Sequence, residues 1–151
     1  MGLLTEAITG SIGASLPPYT FEITRNDIRK YAVATNQQEE RFRRGDEAPL
    51  LFLFSAIMPI TPLDRLLADG HMPDSPLIPE LPLKRIMAGG SQYEVFGTLR
   101  CGDVLTVRQT LVDIYEKNGA NGALIFLVFE NRFEDAQGNP VVIERLTRIA
   151  R

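Results

Sequence analysis

From residue 91 onward the chain alternates between apolar runs and turn-forming breaks. Residues 91–99, 104–116, 122–133 and 141–150 are rich in Val, Ile, Leu, Phe, Tyr and Thr, side chains that suit a pleated, half-buried surface. Between them lie Arg100-Cys101-Gly102-Asp103, Asn118-Gly119-Ala120-Asn121-Gly122 and Asp135-Ala136-Gln137-Gly138-Asn139-Pro140. Gly supplies positive φ, Asn and Asp tolerate it, and Pro140 cannot sit inside a ladder. The pattern predicts a four-strand antiparallel meander in need of a cover. In the second run Leu105, Val107 and Leu111 share one face, with Val104, Val112 and Ile114 on the other. Residues 124–129 are continuously apolar, which predicts a central strand covered on both sides. Glu144, Arg145 and Arg148 predict a partly wet end for the last run.

Upstream the periodicity changes. Pro17-Pro18 sets an extended approach to residues 19–23, whose alternation predicts a short strand. Thr24 is a helix cap with Asp27 three residues on, an approximate capping box, and Ile28, Tyr31, Ala32 and Val33 or Thr35 recur at helical spacing to about Ala34. Residues 36–46 are densely charged and predict a solvated helix end and loop. Pro49 opens a second helix over residues 50–58, apolar all round as a helix enclosed by protein should be, and Pro59 and Pro62 stop it. That helix is the natural cover for the sheet. Five of the ten prolines fall within residues 61–83, so a long irregular connection is expected at 61–88. In an N-terminal extension, residues 1–15, Leu3, Leu4 and Ile8 suit one helical turn against the body.

Composition narrows the classes. With 151 residues, one domain spanning 1–151 is the default, and 44% hydrophobic against 23% charged residues argues for a packed core. A net charge of −3 without a basic stripe argues against a nucleic-acid partner. A single Cys101 and a single His71 provide neither an internal disulfide nor a metal-ligand cluster, so no metal is expected. The N-terminus lacks the basic start and apolar stretch of a signal peptide, and the longest apolar run is about half a membrane span. The expectation is a cytoplasmic protein with no membrane partner. A sheet with two apolar faces and one helix to cover them also predicts an oligomer.

Strand, short helix, loop, apolar helix and antiparallel sheet, in that order, resemble a hotdog fold, an α+β architecture whose sheet wraps around a central apolar helix. Ile23-Thr24 with Asp27-Ile28-Arg29-Lys30-Tyr31-Ala32-Val33-Ala34-Thr35 resembles the opening of MaoC-like dehydratases. Ala48-Pro49-Leu50-Leu51-Phe52 is similar to the central segment of their fatty-acid-synthase-type N-terminal half. Gly90-Ser91-Gln92-Tyr93-Glu94-Val95, Cys101-Gly102-Asp103-Val104-Leu105-Thr106-Val107 and Asp135-Ala136-Gln137-Gly138-Asn139-Pro140-Val141-Val142 resemble its later strands and turns. The likeness covers roughly residues 16–151.

The resemblance implies hydration or dehydration of 2-enoyl and 3-hydroxyacyl thioesters by an Asp and a His in a Gly-Asp-x-Asn-Pro-x-His motif, acting as general acid and base. This sequence departs there. Gln37 stands at the Asp position and Phe42 at the His position, and neither titrates near neutral pH. Glu39, Glu40 and His71 are the side chains that could in principle replace the pair, although adjacent acids in a charged run usually form solvated surface. Cys101 has no basic neighbour or helix start to activate it. Gly89-Gly90 lacks the following helix of a dinucleotide fingerprint; its residues suit close backbone approach or a bulge, and the resemblance implies the mouth of the acyl-thioester channel.

Three functions fit. The first is a non-catalytic subunit of a heteromeric enoyl-CoA hydratase, with a dyad-bearing hotdog partner and with Phe52, Phe54, Gly90, Ser91 and Gln92 lining part of the acyl-CoA channel. Plain core packing is the competing role for Phe52 and Phe54. The second is an acyl-CoA thioesterase using Asp46, Glu47 or Asp64. The third is a homodimer that holds acyl thioesters without turnover. Coenzyme A enters each as part of the substrate, and no separate cofactor is implied.

Overall fold

A computed structural model describes residues 2–120 and 122–151; Met1 and Asn121, the latter within the break predicted at 118–122, lie outside the described residues. The elements are α1 (Glu6–Thr9), β1 (Tyr19–Glu22), α2 (Arg25–Ala34), α3 (Glu40–Arg43), α4 (Phe52–Ala56), β2 (Ile86–Val95), β3 (Val104–Gly119), β4 (Gly122–Glu134) and β5 (Pro140–Ala150), with a single 3-10 turn at Leu63–Arg65. The five strands form one antiparallel sheet in the order β1-β3-β4-β5-β2. With its covering helices, this is a hotdog fold.

The meander is therefore three strands, not four. β2 does not pair with β3, its neighbour in sequence, but crosses to the far side of β5. It also begins five residues earlier than its composition suggests, because a bulge at Gly89 lets Ile86, Met87 and Ala88 join the ladder. Space is tight there: a Cβ added at Gly89 would lie 3.1 Å from Thr147 and Ile149, which would have to give by a few tenths of an ångström. A second bulge, at Val112, corrects the predicted facing of β3. It resets the alternation, so Ile114 joins Leu105, Val107 and Leu111 among the buried positions.

α2 follows its sequence signals closely. Thr24 Oγ1 accepts from the Asp27 amide at 3.2 Å and donates to Asp27 Oδ2 at 2.6 Å. Ile28 and Ala32, four apart, are buried, whereas Val33 faces solvent. The helix ends where Asn36 takes a positive φ of 52°, a conformation Asn tolerates.

α4 departs from expectation. It is five residues long, with Phe52 and Leu53 buried but Leu51 and Phe54 each 54% exposed. A helix of about one turn can bury only one side, so it covers part of the concave sheet face and is not enclosed. Two apolar clusters result. One joins Ile23, Ile28, Phe52 and Leu53 to Leu105, Val107, Phe133 and Val142. The other joins Leu111, Ile125, Leu127 and Phe129 to Ile8, Leu77 and Leu81, so irregular chain covers it. Leu3 and Leu4 pack there as well, beside the turn at α1.

β4 is central, as its apolar run predicts, with Ile125, Leu127, Phe129 and Phe133 buried. Its outer positions Leu124, Phe126 and Val128 are only half-buried in the isolated chain. The edges of the sheet also differ. Residues 13–16 extend β1 along β3, through Gly13 N–H to Leu111 O at 2.7 Å and Leu16 N–H to Gln109 O at 3.0 Å. The ten-residue outer edge of β2 has no strand partner among the described residues.

Candidate functional site: the helix-loop station and the polar row of the sheet

The segment that follows α2 is held by charge pairs rather than left loose. Arg41 contacts Glu39 at 2.7 Å and Glu47 at 3.2 Å, Arg44 contacts Glu40 at 3.8 Å and Asp46 at 3.3 Å, and Arg25 reaches Asp46 at 2.6 Å. Hydrogen bonding from Arg25 holds the Asp46 carboxyl below its ordinary value. Backbone bonds anchor the same segment to the sheet side, Ala48 N–H to Leu99 O and Cys101 N–H to Asp46 O. Gly45, at φ 78°, lies against Arg25, where an added Cβ would come within 2.7 Å of a backbone oxygen.

Within this frame Gln37 is half-buried, its amide N–H bonded to Ala32 O at 2.8 Å and its side chain donating to Thr35 at 3.1 Å. Phe42 is buried, and the Arg41 guanidinium lies 4.6 Å from its ring centre. Beside it a cleft of about 200 Å³ runs between Phe42, Pro49 and Leu50 on one side and Val95, Leu99 and Val142 on the other. Its carboxylate, Glu47, is already paired with Arg41. Glu39 and Glu40, named as substitutes for a dyad, are exposed partners of arginines. His71 is exposed and contacts Asp69 at 3.2 Å, Asp64 lies in the exposed 3-10 turn, and Cys101 is half-buried against the first apolar cluster.

The suggested channel residues are dispersed. Phe52 packs in the first cluster, edge-on to Tyr31 at 5.7 Å, while Phe54 points to solvent from the other side of α4. On β2, Ser91 stands opposite Leu146, whereas Gln92 stands opposite Arg145, which pairs with Glu130 at 3.0 Å on the outer face. Gly90 shares the outer phase of Gln92.

One group was not singled out from the sequence. Three successive rows cross the concave face: Val107–Phe133–Val142–Val95, then Gln109–Asn131–Glu144–Tyr93, then Leu111–Phe129–Leu146–Ser91. The middle row is polar and hydrogen-bonded throughout. Gln109 Nε2 donates to Asn131 Oδ1 at 3.0 Å, Asn131 Nδ2 to Glu144 Oε2 at 2.9 Å, and the Tyr93 hydroxyl to Glu144 Oε1 at 2.7 Å. Glu144 is 5% exposed and Asn131 3%, so the end of β5 read as partly wet is dry at Glu144, while Arg145 is exposed. Burial, reinforced by the Glu144 bond, pushes the Tyr93 hydroxyl up to about 12. A signal was present: Asn131 breaks the in-phase series Ile125, Leu127, Phe129, Phe133.

No group of His, Cys, Asp and Glu among the described residues could hold a metal ion, and no helix among them is long and apolar enough to cross a membrane.

Residues 10–144 match a family model described as the FAS1-like dehydratase domain region. No curated protein matches the sequence. Among solved structures, a MaoC-like dehydratase from Rhodospirillum rubrum is 15% identical, with 92% of this chain covering 91% of that one at a TM-score of 0.56. The HadBC (3R-hydroxyacyl-ACP dehydratase) complex from Mycobacterium tuberculosis is 14% identical, with coverage of 91% and 96% and a TM-score of 0.59. The ChsH1-ChsH2 complex from the same organism is 15% identical, with coverage of 95% and 86% and a TM-score of 0.62. At these identities the likeness establishes the shared fold.

Proposed function

The chain belongs to the FAS1-like dehydratase region family, and we propose that within it this protein is a non-catalytic subunit of a heteromeric enoyl-CoA hydratase. A second hotdog subunit supplies the Asp and His, and this chain forms part of the wall along which the acyl-CoA lies. The reading is carried by the station after α2: aligned on the family resemblance, Gln37 and Phe42 fall at the dyad positions, and the carboxylates between them, Glu39 and Glu40, are exposed side chains in contact with arginines. A Gln amide cannot take a proton from water at neutral pH, and a buried Phe ring has none to exchange.

Need for a partner is supported by the free ten-residue edge of β2, by the half-exposed apolar outer positions of β4, and by exposed Phe54, Ile60 and Leu63 around the shortened helix cover. Long unpaired edges and apolar patches of this kind are normally covered. Two structural relatives are themselves named as complexes. A cytoplasmic site of action fits the lone unpaired Cys101.

The test is hydration of a panel of 2-enoyl-CoAs by the pure chain, by a dyad-bearing MaoC-like protein encoded nearby, and by the co-purified pair. The pair should turn over at least about a hundredfold faster than this chain alone, the scale of a lost acid–base pair. Comparable hydration by the pure chain would defeat the reading. Hydrolysis of the thioester by the pure chain would favour the thioesterase instead.

A further inference from the structure

The outer face of the sheet is divided into two halves. In one, the charges are paired within the chain: Arg108 and Arg132 reach Glu134 at 3.0 and 2.8 Å, and Arg145 reaches Glu130 at 3.0 Å and Glu94 at 3.6 Å. In the other, an apolar row crosses four strands, Tyr115 on β3, Phe126 on β4, Ile149 on β5 and Met87 on β2. The Tyr115 and Phe126 rings stack at 4.9 Å and 5°, and Lys117 Nζ stands 5.2 and 5.4 Å from their centres. Met87 is 42% exposed, and Leu124, Phe126, Val128 and Ile149 are half-buried. None of these side chains belongs to either apolar cluster, because the helices and the irregular cover both pack on the concave face.

Two charges bracket the row on β3. Asp113 and Lys117 share the outer phase of Tyr115, two residues to either side, or about 7 Å along the strand. Both are exposed, and neither makes an ion pair among the described residues. Opposite charges set evenly about an apolar row make a surface that complements itself. A two-fold axis lying in the plane of contact along Tyr115–Phe126–Ile149–Met87 sets each strand against its own copy, running the other way. Asp113 then faces Lys117 of the second copy, Lys117 faces Asp113 of the second copy, and Leu124 faces Val128. Arg85 and Arg151, joined by backbone bonds one residue beyond β2 and β5, then face Gly90 and Thr147, which carry no charge. An axis along β3 would instead oppose Asp113 to Asp113 and Lys117 to Lys117, and like charges opposed at an interface are penalised.

We propose that this half of the outer face docks a second copy of the chain, sheet against sheet, on the two-fold axis along the Tyr115 row. The row itself supplies the apolar centre of the contact, and the two Asp113–Lys117 pairs fix its register. The inference is separate from the acyl-thioester reading. It assigns the outer positions of β4 to a second copy and leaves the free edge of β2 and the surroundings of α4 to a catalytic partner.

Sedimentation equilibrium of the full chain at concentrations up to about 100 μM should show self-association. Asp113→Lys turns both attractive pairs into repulsive ones and should raise the dissociation constant at least about tenfold. Lys117→Asp should do the same. The double variant Asp113→Lys/Lys117→Asp restores opposite charges across the axis and should return the constant to within about threefold of the wild-type value. Both positions are exposed, so urea midpoints of the variants, measured alongside, should stay close to wild type. An association that neither single reversal weakens, or a double variant as weak as the single ones, overturns the proposal. A wild-type chain that stays monomeric overturns it as well and leaves this face to a different protein.

Discussion

The two ends of the concave sheet face bury comparable apolar clusters under different kinds of cover. One lies beneath α2 and α4, with Phe133 as a fully buried residue meeting Phe21 edge-on at 6.4 Å. The other lies beneath the N-terminal turn and the stretch around Leu77 and Leu81, which has no regular secondary structure. Helices satisfy their own backbone and present a stripe of side chains, whereas irregular chain must find backbone partners piecemeal. The helical end should therefore behave as the cooperative centre, and the other as the part that opens first.

The largest effect should come from Phe133→Ala, which leaves a cavity in the helical end and should cost about 3–5 kcal/mol in urea-unfolding free energy. Leu81→Ala, also buried but in irregular chain that can settle inward, should cost about 2 kcal/mol, and parity between the two would break the comparison. Amide exchange sharpens it: protection at Ile125 and Leu127 should fall selectively in Leu81→Ala, and that at Val107 and Phe133 should not. Thr24→Ala removes the α2 cap and should cost about 1 kcal/mol, lowering the melting temperature without altering exchange near Leu81.

The smallest effect concerns the row between the two ends. Tyr93 titrates higher in the folded chain than the ordinary 10, at about 12, because it is buried and bonded to Glu144. A raised folded value stabilises fully below the unfolded value, and the contribution is lost as pH rises toward the folded one. Between about pH 10 and pH 12 the wild-type urea midpoint should therefore fall more than that of Tyr93→Phe; parallel curves would mean that this hydroxyl does not couple to folding.

Much of this was legible in the residues. Thr24 with Asp27, and Ile28 with Ala32, predicted α2 because capping and helical spacing are local properties. The strands at 104–116, 122–133 and 141–150 followed from composition and turn chemistry. The pairing of β2 was not legible, since a strand of suitable composition can lie beside β3 or beside β5. A bulge or close backbone approach was legible at Gly89-Gly90, but the bulge at Val112 was hidden, and one extra residue there was enough to move Ile114 to the other face.

The sequence by itself determined most of the strands and helices and where they turn, because each depends on neighbours a few residues apart. Tertiary structure alone decided that Gln109, Asn131, Glu144 and Tyr93, from four different strands, stand in one row. It also decided that a glutamate beside an exposed arginine is nearly dry. Burial of a side chain depends on which strands flank it and what covers them, and neither is encoded within its own run of residues.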